Sequence, residues 1–189
     1  MFNFPQLLTA LPADVALEKL RNGESLQYYH IIGKLDLLQL STDNTYCFHS
    51  IILLYCEVDD LSGVVLSYER PMILSYCHFH RADFIFAYFV GGLLIEECVF
   101  YSYLNFSSGG HNKPGFPVRL LRNLFKGFVN FFDCWYEGEV HVEYNIIKQG
   151  ANLLGAPHNI PVTFDIQPII QKNVGNLYCA DEGSSFSDR

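Results

Sequence analysis

The sequence predicts an all-β fold, a short parallel β-helix with coils of about 21 residues, an N-terminal capping helix and an irregular C-terminal cap. Three observations carry that expectation. Cys56, Cys77 and Cys98 follow one another at intervals of 21 residues, inside the strings YCEV, YCHF and ECVF. Apolar residues between them fall two apart, the period of a strand that buries one face. Half the chain is apolar, 15% is aromatic and only 17% is charged, so a large apolar surface must be buried. One short strand cannot bury its own face, whereas equivalent strands stacked turn on turn share one interior.

The elements follow in order. Residues 1–27 form the N-terminal cap. Within it Pro12 to Gly23 reads as a short helix, with Pro12 in its first turn and Asn22-Gly23 as its stop. Its apolar set, Val15, Ala16, Leu17 and Leu20, is placed to cover the first coil. Coils occupy 28–155, and the period run back from Cys56 lands on Leu35 in an alternating stretch. The string DCWY places Cys134 36 residues after Cys98, and the surplus over one period is assigned to an inserted loop at 107–117. A second register of eleven residues links Phe125, Gly127, Val129 and Phe131 to Tyr136, Gly138, Val140 and Val142. Gly127 and Gly138 suit places where the chain bends or is closely approached. Pro157, Pro161 and Pro168 punctuate the C-terminal cap at 156–180, and 181–189 reads as a disordered tail. The whole is expected to be one domain.

With its 21-residue coils, the chain resembles the right-handed parallel β-helix proteins over roughly residues 28 to 155. It is more loosely similar to the pentapeptide-repeat group through Ala82-Asp83-Phe84-Ile85-Phe86. The resemblance implies the fold. The wider class holds carbohydrate-active enzymes, structural proteins and small proteins of unknown role, so function must come from the residues.

Twenty acids against twelve bases give a net charge of -8, which argues against a nucleic-acid partner. The longest apolar run, Phe84 to Ile95, has twelve residues, too few to span a bilayer. The N-terminus lacks the basic and apolar regions of a secretory signal. With that, six cysteines and no CxxC read as reduced thiols in a cytoplasmic protein.

Candidate chemistry falls in three places. His78 and His80 share one strand face opposite Cys77, with Glu57 one coil back from His78; they are candidate metal ligands, anion ligands or an acid–base pair. Glu137 and Glu139 flank Gly138 as candidate paired carboxylates of the kind glycoside cleavage uses. Ser108, His111, Asn112 and Lys113 make the inserted loop a candidate ligand loop. No cofactor is expected. The leading expectation is a non-enzymatic scaffold for protein binding or self-association, and the alternative is a small carbohydrate-active hydrolase or lyase acting on a glycan through outer-face acids or histidines.

Overall fold

The computed structural model describes residues 7–183. Every strand pairing is parallel, and the chain winds into a β-solenoid of about six turns. Each coil has three sides. Side one stacks Leu26–Gln27, Ile51–Leu54, Met72–Ser75, Leu93–Glu96, Val118–Leu121, Val140–Glu143 and Ile169–Gln171. Side two begins with Thr9–Pro12 and Tyr29–Asp36, continues through Glu57–Ser62 and His78–Asp83, and ends at Ile146–Ile147. Side three is held by shorter pairings that run from Tyr46–Cys47 through Ser67, Tyr88 and Gly110 to Trp135–Tyr136 and Thr163–Phe164.

Strands in a sheet lie about 4.8 Å apart, which is also a favourable distance for stacked rings. Inward-facing aromatics at one position of successive coils therefore form columns. Phe79, Phe100 and Phe125 stack at 4.8 and 5.3 Å, and Phe84, Phe106 and Phe131 at 5.5 and 5.3 Å. All six side chains are buried, and removing one to alanine costs about 3–5 kcal/mol. The interior columns thus account for much of the phenylalanine, whereas most of the tyrosines lie at the corners or on the outer faces. The eleven-residue register relates different sides of the solenoid: Phe125 and Ile147 pair on side two, whereas Tyr136 pairs on side three.

The corner between sides one and two carries the strictest regularity. Tyr28, Tyr55, Tyr76, Glu97, Arg122, Tyr144 and Lys172 all adopt positive φ, between 53° and 60°, and the next residue turns its side chain into the corner. At Cys56, Cys77 and Cys98 that side chain is a thiol: the Cys56 amide donates to Cys77 Sγ and the Cys77 amide to Cys98 Sγ, each at 3.4 Å. From there asparagine takes over. Cys98 N–H donates to Asn123 Oδ1, Asn123 N–H to Asn145 Oδ1 and Asn145 N–H to Asn173 Oδ1, each at 2.9 Å. The donor side matches too. Cys77 Sγ donates to the Leu53 carbonyl as Asn123 Nδ2 donates to that of Ile95. Thiol and amide perform one task, capturing the backbone groups that a corner would strand.

This ladder revises the sequence-based spacing. The counterpart of Cys98 in the next coil is Asn123, 25 residues on, and Cys134 sits at a different corner, donating to Phe106 O. The excess over one period is therefore a few residues. Ser107, Gly109 and Gly110 are buried in side three, with Gly110 bridging Tyr88 and Trp135, and the excursion narrows to the turn around Lys113–Phe116.

At the N-terminal end α1, Ala13–Arg21, buries Ala16, Leu17 and Leu20 over the first coil as expected, while Val15 faces out. The strand Thr9–Pro12 before it, paired with Tyr29–Ile32, has no counterpart in the sequence-based reading. The C-terminal region is irregular, with a short 3-10 turn at Pro157–Asn159, yet two of its strands join the stacks. Of the tail, Asp181–Gly183 lies against the outer wall, where Tyr103 donates to the Glu182 carbonyl; 184–189 fall outside the described residues, as do 1–6 of the N-terminal cap.

Candidate functional site

Side two brings Glu57, His78 and His80 together. Register sets Glu57 beside His78, but the carboxylate reaches along the strand to His80, with Oε1 2.8 Å from Nε2. Strand periodicity explains this, because residues two apart point to the same face. Tyr101, from the next coil, stacks on the His80 ring at 5.1 Å and meets His78 edge-on, its hydroxyl 3.5 Å from Nδ1. Lys126, one coil further, holds its ammonium 4.1 Å above the Tyr101 ring. Burial, the dominant influence, shifts His78 below the ordinary histidine range, toward the neutral form. A neutral imidazole, a second imidazole on a carboxylate, and a nearby ammonium can exchange a proton or hold a small anion. Sequence reasoning did not join Tyr101 and Lys126 to this group; the regular 21-residue step from His80 reaches Tyr101, and Lys126 lies one longer step of 25 residues beyond it.

Side three gathers a different set. Tyr88, His111 and Trp135 come from successive coils, with ring centroids 4.3 and 5.5 Å apart. His111 Nδ1 lies 3.3 Å from Glu137, and Trp135 donates from Nε1 to Asp165 at 2.9 Å. Tyr46, Phe48, Phe86, Tyr88 and Trp135 are each exposed by 39–57%. Part of their signal in the sequence was present but unused: Tyr46 and Tyr88 lie two 21-residue steps apart, with the buried Ser67 between them.

Of the ligand-loop residues, only part faces solvent. Asn112 is buried, its amide donating to the carbonyls of Phe116 and Glu139 and accepting from Gly138 N–H. Ser108 sits at a positive-φ corner and Lys113 is exposed. Glu139 accepts from Gly115 N–H at 3.1 Å, and its own amide and then that of Gly115 hold its carboxyl below the usual range. Glu137 and Glu139 are thus engaged separately, one with His111 and one with the turn.

Among the described residues, no group of three His, Cys, Asp or Glu side chains gathers where it could hold a metal. Burial raises the Cys134 thiol to about 12 and carries Cys77 well above the ordinary range, so neither offers a thiolate near neutrality. No described helix is long and apolar enough to cross a membrane. Compared with family models, curated proteins and solved structures, the chain finds no match among them.

Proposed function

We propose that this chain is a non-enzymatic scaffold that binds a protein partner through side three. The observation that carries the reading is the exposure of Tyr46, Tyr88 and Trp135 on the paired positions of that side, with the exposed Phe48 and Phe86 two residues from Tyr46 and Tyr88. Tyr, Phe and Trp are enriched at the centres of protein interfaces, where a ring combines large contact area with little rotamer entropy to lose. Here the rings stand on stacked coils held by hydrogen-bond ladders, so little ordering remains to oppose association. The reduced thiols suit a cytoplasmic setting.

A hydrolase or lyase acting on a glycan is the second reading, and the Glu57–His80 contact of 2.8 Å favours it, since an imidazole on a carboxylate can serve as a proton donor and acceptor. One experiment separates the two. Proteins captured from the native cell extract on the wild-type chain are compared with those on Tyr88→Ala/Trp135→Ala and Glu57→Gln/His80→Gln variants, and the captured partner is then purified and titrated. The scaffold reading expects a saturable complex lost with the aromatic pair and kept with the polar pair. A glycan-cleaving activity abolished by Glu57→Gln, with no partner sensitive to the aromatic pair, would overturn it.

A further inference from the structure

The two ends of the solenoid differ. At the N-terminal end α1 lies over the first coil, and the inward residues Leu26, Ile31 and Leu35 have 0% exposure. At the other end, Val162, Phe164 and Ile170, inward residues of the last coil, are only partly buried. A hollow lined by Leu154, Pro168, Ile170, Gln171, Leu177 and Tyr178 opens there. Among the described residues, side one stops at Ile169–Gln171, and no further strand pairs with its outer edge. The corner ladder stops with it: Asn173 Oδ1 accepts from Asn145 N–H, and among the described residues no further coil follows to receive the Asn173 amide in turn. Among the described residues the chain does not double back over this end. Asp181, Glu182 and Gly183 run along the outer wall toward the N-terminal end, meeting Asn152, then Asn130 and Tyr103, and then Phe128.

From these facts we infer that two copies of the chain join through their C-terminal ends about a two-fold axis. Each copy's Ile169–Gln171 strand pairs antiparallel with its mate, fusing the two side-one sheets and covering Ile170, Val162 and Phe164. An open coil edge calls for a strand with matching pleat and width, and the last coil of a second copy presents that same edge. Stacking end to opposite end is blocked because α1 covers the other interior, so the contact is isologous and closes at a dimer. Charge permits the approach. The hollow is lined by the neutral Gln167, Gln171 and Asn173, and Lys172, its one cation, is held by the Tyr144 hydroxyl at 2.9 Å. A chain of net charge -8 thus meets its copy at a weakly charged surface. This junction involves neither Tyr88 nor Trp135 and stands apart from the side-three reading.

The test is the mass in solution of the whole chain, by light scattering across a wide concentration range, for wild type, Ile170→Asp, Tyr178→Glu and Val15→Glu. Tyr178 is 70% exposed, so its variant keeps the fold if Ile170→Asp does not. The expected result is twice the 21.6 kDa chain mass for wild type and Val15→Glu, and the single chain mass for folded variants at the C-terminal end. A wild-type monomer at every concentration overturns the inference, as does a dimer that survives Tyr178→Glu and a folded Ile170→Asp, or one lost in Val15→Glu.

Discussion

Replacing Cys77 tests whether thiol and amide are interchangeable in the corner ladder. In Cys77→Ala the Cys56 amide loses its only acceptor in the ladder, Cys77 Sγ at 3.4 Å, and a buried unsatisfied donor costs about 1–3 kcal/mol. The lost sulfur leaves a void in a fully buried position, worth about 1 kcal/mol by the scale of a buried methylene. Together the change should cost about 2–4 kcal/mol, a large part of the roughly 5–15 kcal/mol that holds a domain folded. Cys77→Asn restores both functions. Its Oδ1 is placed to accept from Cys56 and its Nδ2 to donate to Leu53 O, as Asn123 serves Cys98 and Ile95. It should fall within about 1 kcal/mol of wild type. Urea unfolding followed by far-ultraviolet circular dichroism measures both, with a constant m-value showing that the unfolding transition is comparable. Equal destabilisation by Asn and Ala, or an Ala variant as stable as wild type, would refute the reasoning.

Gly127→Ala should be strongly destabilising, because a Cβ there would lie 2.3 Å from the Ser102 backbone; a loss of at least about 1–3 kcal/mol is expected from overpacking, read from the same urea curves. Asp59 accepts from Gly33 N–H at 3.0 Å and lies 2.8 Å from His30 Nε2, and the Gly33 amide, then His30, hold its carboxyl below the ordinary value. Its contribution is therefore present above the unfolded carboxyl pKa and lost as pH falls through the lower folded value. Asp59→Asn should lower stability at neutral pH and flatten the acid limb of a pH–stability curve; an unchanged limb contradicts this. In a native thiol titration with an aromatic disulfide, Cys179, partly exposed, should react first, and Cys47, Cys56, Cys77, Cys98 and Cys134 should wait on unfolding. Prompt reaction of Cys77 would mean that the corner opens readily.

The coil was legible in the sequence where insertions are absent. From Cys56 to Cys98 each step is 21 residues, and the same chemistry repeats at the same place, so periodicity is enough. The ladder then changes from thiol to amide while the step widens to 25 residues, then 22 and 28. A search for recurring cysteine consequently followed Cys134 to the wrong corner. Asparagine carries no hydrophobic signal, and its equivalence to cysteine appears only through the hydrogen bonds both make. The same limit held at the candidate sites. Glu57 and His78 were placed as neighbours by the 21-residue step, but the carboxylate's choice of His80 depends on side-chain reach along the strand. Trp135 and Tyr88 were invisible as a pair because 47 residues and an irregular coil separate them.

Trp135 is the sole tryptophan of the chain and stands 45% exposed on side three, so its fluorescence reports directly on that surface. The account predicts that saturation with the captured partner shifts Trp135 emission to shorter wavelength and shields it from acrylamide quenching. Unchanged emission and undiminished quenching at saturation would place the partner elsewhere and contradict the assignment of side three as the binding surface.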